Sequence, residues 1–530
     1  MRIALSAAAL IAWSGCAMAQ LYSIEEISTL GGTTSVGVAI NSSGEVTGYT
    51  GPGALAPNST QAFFYSSGVT QGLGTFGGDY SQGEGVNDSG QITGRAFFSD
   101  NTTYHAFLYS DGVMKDIGTL GGTSSEGTAI NASGQITGYA YTANSGSFPF
   151  LYSDGSMTNI GPTIEGELGR SINKAGQIVT AGGFFYSNGA LTNIGSLGGG
   201  DTYVANPSDM NGAGQITGYS AIAGTGNTPT HAFLYSNGVM TDIGPLDGQS
   251  TGNAISASGQ ITGWAYFGGT TPHAFLYSNG VMQDLGTLGG TESHGIGIDA
   301  YGQVVGNSAT ASGVTHAFMY SNGQTVDLNT LIDPNSPLAP YVTLNNASRV
   351  TNTGYILANG TDSRTGYFVS FVLTPNPTIP TVTPAIAGTL GENGWYVSAT
   401  TLSWTITGYP TPTTSGCGTV SVPDTKGKTY TCTATNSSGS ASGSVTMKKD
   451  TVPPQVTIKI PVKGKTYALN EKVLASYTCL DITSGVAACS GTVKDGAAVN
   501  TSTKGTKTFE VIGIDKAGNK TTDFVLYTVK

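Results

Sequence analysis

Residues 231–244 read HAFLYSNGVMTDIG, and residues 273–286 read HAFLYSNGVMQDLG. The two stretches begin 42 positions apart and differ at two of their fourteen residues. Tyr235 and Tyr277 within them have counterparts at Tyr65, Tyr109, Tyr152, Tyr186 and Tyr320. A second motif, GQITG, starts at Gly90, Gly134, Gly214 and Gly259, with variants at Gly44, Gly176, Gly302 and Gly354. A unit of about 43 residues therefore recurs along most of the chain, and such a period marks a repeat architecture.

One unit reads as four short strands. In the unit around Tyr152, the run GTAIN leads to ASG, where Gly134 can take the positive φ that closes a turn. QITGYAY follows, then a variable loop, then PFLYS, an Asp154-Gly155 turn and SMTNIG. Asn-Gly pairs at Asn188, Asn237, Asn279 and Asn322 fill the Asp154 place, and such pairs favour the type I′ hairpin turn. No helical periodicity is present. A four-stranded sheet that is apolar on both faces must pack on neighbours, and a closed ring leaves no face exposed. The chain opens on a spare fourth strand, residues 22–32, and its repeat region ends on a third strand, residues 366–373. Pairing these two would close the ring. First strands at Ile40, Val86, Ile130, Ile172, Met210, Ile255, Ile298 and Val350 predict an all-β propeller of eight blades, with seven as the alternative.

HAFLYS-[ND]-G, followed by DIGTLGG and AINxxGQITG, resembles the bacterial extracellular repeats called the HAF family. The resemblance covers residues 22–373. It implies an exported β-repeat protein and carries no catalytic residues with it. His-Ala-Phe stands in four copies only; Gln61, Phe148 and Gly182 occupy the histidine place elsewhere.

The bulk numbers agree with this reading. Of 530 residues, 79 are glycine and only 10% are charged, which suits many tight turns rather than an acidic disordered chain. Residues 1–19 carry Arg2, a short apolar run and Ala17-Met18-Ala19, the pattern of a signal peptide cleaved before Gln20. Cys16 offers lipid anchoring as an alternative. No later stretch is long and apolar enough to span a bilayer as a helix. Up to residue 375 the chain holds seven Lys and Arg against 23 Asp and Glu, a net −16, and beyond it fourteen against nine, a net +5.

Residues 374–384, TPNPTIPTVTP, read as a stiff proline-rich linker. Two modules follow, 385–450 and 451–530, split at DTVPP. Their alternating strands and regular turns predict small sandwiches that resemble bacterial Ig-like modules. Cys417, Cys432, Cys479 and Cys489 lie here, and nearest-neighbour pairing predicts Cys417–Cys432 and Cys479–Cys489 disulfides, the latter as a hairpin or adjacent-strand staple.

Several residue columns invite chemistry. His105, His231, His273 and His316 share one repeat position and could gather a metal at a ring axis; capping the third strand through a backbone bond is the preferred reading. Asp116, Asp242, Asp284 and Asp327 share another, with Asn159 and Asn193 as substitutes, and read as turn formers, with Ca2+ binding as the lesser alternative. Tyr49, Tyr139, Tyr219 and Trp264 occupy a third, where Arg95 and Asn307 also stand; blade packing is preferred, ligand contact the alternative. No metal or catalytic residue is assigned and no cofactor is expected. No nucleophile elbow, zinc-protease motif or phosphate loop occurs, and the acidic repeat region disfavours nucleic acid.

The near-identical stretch is thus a building part rather than a site, and function should lie where the copies differ. The loops 98–104, 142–148, 221–230 and 267–272 vary most and should share one rim. The expected protein is a monomeric, non-enzymatic binding or adhesion protein, secreted or at the cell surface, with the periplasm as the alternative compartment. Its partner would be an extracellular glycan or surface protein. The alternative function is a secreted enzyme acting on polysaccharide or peptide at the ring axis, with Glu165, Glu167, Asp201 and Asp209 as its candidate carboxylates.

Overall fold

The computed structural model describes residues 20–51, 59–144, 146–161, 167–198, 205–222, 230–245, 248–409 and 412–530. Residues 1–19, read above as a signal peptide, and with them Cys16, lie outside these ranges. The chain forms two compact units, Met1–Asn376 and Pro377–Lys530. Among the described residues there is no α-helix, and two short 3-10 turns interrupt an otherwise all-β chain.

In the first unit each repeat is one four-stranded antiparallel sheet in simple meander order. The sheets cover residues 35–74, 77–116, 121–159, 169–193, 206–242, 250–284, 289–327 and 342–375, numbered first to eighth below. A single parallel bridge, Ser124 to Tyr104, joins the second and third. The innermost strand of every sheet touches that of the next, and the eighth touches the first. The opening strand, Tyr22–Glu26, completes the eighth sheet by pairing with Tyr367–Pro375, Ile24 opposite Leu373 and Glu26 opposite Phe371. Ile27 N–H then donates to Ser370 O at 2.9 Å. Chain start and repeat end are thus stitched together as the spare-strand argument requires.

The repeated letters are explained by what they touch. Ala and Phe of HAF are fully buried: Ala106, Phe107, Ala232, Phe233, Ala274 and Phe275 are all 0% exposed. They pack between sheets. Ala106 and Ile117 of the second sheet meet Ile136, Phe150 and Tyr152 of the third, and Phe63 of the first meets Leu357 and Val372 of the eighth. Each such phenylalanine contributes roughly 1.5–3 kcal/mol by leaving water. The threonine of GQITG closes the joint. Thr93 Oγ1 donates to Phe107 O at 2.8 Å and lies against Gly127 of the next sheet, where a Cβ would stand 2.1 Å from that oxygen.

Asp154, Asn188, Asn237, Asn279 and Asn322 all have φ of 51–54°, and the glycine after each has φ of 80–83°. Two consecutive positive φ values define the type I′ turn read from Asn-Gly and Asp-Gly.

Every first strand carries a bulge that the pattern does not announce. The skipped residues are Val38, Glu84, Thr128, Arg170, Ser208, Asn253, Ile296 and Ser348. The second glycine of GQITG faces the bulge. A Cβ on Gly94 would stand 1.9 Å from Gln82 O, so only glycine fits.

The second unit contains both tail modules. The linker is shorter than expected, because strands claim both ends: Thr374 and Pro375 belong to Tyr367–Pro375, and Thr381–Ala387 pairs with Thr401–Thr407. Both predicted disulfides form. Cys417–Cys432 joins neighbouring chain segments of one sheet. Cys479–Cys489 differs from the expected staple. Cys479 lies on Ser476–Leu480, paired with Gln455–Ile460, whereas Cys489 lies on Val486–Gly491 in the sheet of Gly505–Asp515. The bridge therefore ties two sheets, because residues 481–485 cross between them rather than forming a tight hairpin.

Candidate functional site

A polar constellation joins the second and third sheets. Ladder register places Gln82 opposite Arg95 and Glu126 opposite Tyr139, all one level from the bulges. Arg95 Nη1 donates to Glu126 Oε2 at 2.8 Å, and Tyr139 OH donates to the same oxygen at 2.9 Å. Tyr104, at the end of the 98–104 loop, places its hydroxyl 3.1 Å from that of Tyr139. Arg95 Nη2 reaches Tyr80 OH and Gln82 Oε1 at 3.3 and 3.2 Å, and the guanidinium lies over the Tyr80 and Tyr104 rings. Arg95 Nε is buried without a partner.

Glu84 is the bulged residue beside this network. It is half-buried. Burial first, and the Glu126 carboxylate second, push its carboxyl up to about 7, with Arg95 pulling the other way. A carboxyl that titrates near neutrality beside one held by an arginine is a functional-site signature.

At the equivalent position to Arg95, Tyr49, Tyr139, Tyr219 and Trp264 are all half-buried. They are therefore not the fully buried packing rings preferred on sequence. Each stands opposite a first-strand residue, Val36, Glu126, Asn206 and Thr251 in turn. Trp264 also meets His294 of the seventh sheet at 6.0 Å between ring centres. Asn307 takes this slot in the seventh sheet and donates to Asn346 of the eighth at 3.3 Å.

The histidine and aspartate columns turn out to be one feature. Nδ1 of His105, His231, His273 and His316 lies 2.9, 2.9, 3.0 and 2.6 Å from Asp116, Asp242, Asp284 and Asp327. Each histidine is thus held by its own aspartate within its own sheet rather than by a backbone group. The aspartate also caps its turn, as Asp116 does by accepting from Gly118 N–H at 2.7 Å. Asn159 and Asn193 make the same cap to Gly161 and Gly195. The copies with these asparagines are the ones with Phe148 and Gly182 in the histidine place.

The enzyme candidates are not drawn together among the described residues. Glu165 and Asp201 lie outside them. Glu167 accepts from Gly182 N–H at 2.8 Å. Asp209 accepts from Met210 N–H at 2.8 Å and, across the sheet joint, from Ile255 N–H at 3.1 Å. Of the variable loops, 98–104 and 267–272 are described throughout, while residues 145 and 223–229 are not.

At the opposite rim, five asparagines form a relay. Asn41, Asn87, Asn131, Asn173 and Asn211 each donate through Nδ2 to the backbone carbonyl of the next sheet's corresponding turn residue, at 2.9–3.4 Å. Asp299 holds this place in the seventh sheet. Its Oδ1 accepts from Tyr301 and Gln303 N–H, while Oδ2 is buried without a partner. Burial pushes its carboxyl up to about 6.

In the second unit, Asp450, Asp481 and Asp515 offer carboxylate oxygens within 4.8 Å of one another, a donor set that suits a hard cation. Asp450 and Asp515 are 0% exposed. Asp450 Oδ2 accepts from Ser484 N–H at 2.9 Å and its carbonyl from Asn519 Nδ2 at 2.9 Å, which knits the two tail modules at DTVPP.

No family model and no curated protein matches the chain. Among solved structures, the acylaminoacyl peptidase of Pyrococcus horikoshii is 10% identical over 64% of this chain and 59% of its own, with a TM-score of 0.35. TolB from Acinetobacter baumannii is 13% identical over 63% and 80%, with a TM-score of 0.26. The eight N-terminal Ig domains of Down Syndrome Cell Adhesion Molecule are 10% identical over 96% and 73%, with a TM-score of 0.22. The chain thus spans less than two thirds of the peptidase's length, and likeness this distant settles neither fold nor activity.

Proposed function

We propose that the first unit is an eight-bladed propeller of the HAF-repeat kind, rather than a seven-bladed one, and that it serves an exported, non-enzymatic protein as its binding head. The two-disulfide tail acts as spacer or contact, and its disulfides suit an oxidising extracellular setting. The ligand is an extracellular glycan. One observation carries this reading: Tyr49, Tyr139, Tyr219 and Trp264 hold one repeat position and remain partly exposed. Rings needed only for packing between sheets would be as buried as Phe107 and Phe150. Partly exposed aromatic rings beside hydrogen-bonding partners suit the apolar faces and hydroxyls of sugars.

The test is a glycan array probed with the mature chain, run beside a hydrolase screen on the same glycans. Retention without turnover, weakened by Trp264→Ala, supports the reading. Turnover of a retained glycan gives the secreted-enzyme alternative, and no retention of any glycan refutes the binding head.

A further inference from the structure

We infer that the inner edge between the second and third sheets is a site for a primary ammonium group carried by an amino sugar. This deepens the glycan-binding reading and rests on it.

One charge in this cluster is left over. Glu126 and Arg95 are an ion pair at 2.8 Å, so their charges cancel locally. Glu84 is then the acidic residue of the cluster that has no opposing cation of its own. As the residue skipped by the ladder, it is released from the strand pairing that orients its neighbours. No hydrogen bond to its carboxylate is found among the described residues, and it is half-buried rather than sealed. Seven other sheets present Val38, Thr128, Arg170, Ser208, Asn253, Ile296 and Ser348 at this place. The ring therefore has one acidic bulge, on a frame whose other letters are nearly fixed.

A half-buried carboxylate without a partner is costly, and a ligand that brings one positive charge with several N–H donors relieves it. An ammonium does this. The groups facing Glu84 with charge or titratable protons are Glu126, Arg95 and Tyr49. Glu126 and Arg95 neutralise each other, which leaves the Glu84 carboxylate as the charge a cation would meet. The net −16 of the repeat region draws cations from a distance. The sugar is favoured over a lysine side chain by the surroundings. Tyr49 of the first sheet, which feels the Glu84 charge, and Tyr139, opposite Glu126 in the third, are both partly exposed, and an aromatic ring suits the apolar face of a pyranose.

The experiment is calorimetric titration of the mature chain at pH 7 with three probes: a glucosamine tetramer, its N-acetylated form and tetralysine. The glucosamine tetramer should bind, the acetylated form should bind at least tenfold more weakly, and Glu84→Gln should lose at least tenfold for the first probe only. Affinity should peak near neutrality, since Glu84 takes up a proton below about 7 and the amine loses its own above. Equal binding of both sugars, or an unchanged Glu84→Gln, overturns the inference. Tetralysine bound with the same Glu84 dependence overturns the sugar assignment. Should Glu84→Gln not fold, the acetylated-to-free ratio on the native chain decides alone. A neutral glycan held independently of Glu84 would leave the binding head standing and remove only this site.

Discussion

Replacing Asp299 by asparagine should stabilise the first unit at neutral pH and do nothing at low pH. Asp299 is 2% exposed and sits where five other sheets have an asparagine that donates to the next sheet. An ionised carboxylate oxygen in the amide's place cannot donate, and Oδ2 is buried without a partner. The folded carboxyl therefore holds its proton up to about 6, against an ordinary 3.8. With the folded value raised, the neutral form's stability is fully present below about 3.8 and is lost as pH climbs through about 6. The shift of roughly two units corresponds to ~3 kcal/mol lost at pH 7.5. Asp299→Asn removes that penalty and restores the donor. The assay is thermal unfolding of native and variant chains at pH 7.5 and pH 4. The variant should gain roughly 5 °C or more at pH 7.5, and the gap should close at pH 4. Taking differences between the two chains cancels Glu84 and every other titrating group. A gap that is equal at both pH values, or absent at 7.5, would refute the relay argument.

Gly94→Ala should destabilise the second sheet by roughly 3 kcal/mol or more, because the new methyl meets Gln82 O at 1.9 Å and neither backbone can yield; chemical denaturation reads it, and a change under 1 kcal/mol would show that the bulge can relax. Deleting residues 20–27 removes Tyr22, Ile24 and Ile27, which are 2%, 4% and 0% exposed, at a cost of about 5–8 kcal/mol. The exposed edge of Tyr367–Pro375 should then self-associate, visible as oligomers in light scattering; a monomer with unchanged unfolding would mean the ring does not depend on its closing strand. Serines at Cys417 and Cys432 open a closure of 15 residues and should cost roughly 3 kcal/mol in the second unit only. A loss of stability in the repeat unit as well would contradict the division into two units.

The frame was legible because its signals are local. Asn-Gly pairs announce positive φ, GQITG alternates as a strand, and an unmatched opening strand finds the one sheet that lacks a fourth. What stayed hidden depends on register across strands. The bulge at Glu84 leaves no mark in a single unit, yet it decides that the following strand needs Gly94. The His273–Asp284 bond joins two columns eleven residues apart that look like separate candidates. Its signal was present in the joint loss of both partners in the copies bearing Asn159 and Asn193. The Cys479–Cys489 pairing is legible from spacing but its placement is not, because ten residues of separation suit a hairpin and only the sheet assignment shows the crossing.

The same lens separates two kinds of departure from the repeat. Asp299 and Glu84 are both carboxylates set where sister copies have uncharged or differing groups, and both hold protons unusually well. Asp299 lies in a closed seam with its fixed backbone donors already in place and one oxygen facing nothing, so its departure can only weaken or switch the joint. Glu84 lies at a partly exposed bulge beside a neutralised ion pair, so its unmet charge is available to a visitor. In a ring built from near-copies, an odd residue in a sealed joint speaks of stability. An odd residue at a solvent-facing bulge speaks of recognition, and here the two can be told apart by whether substitution moves the unfolding midpoint or the ligand affinity.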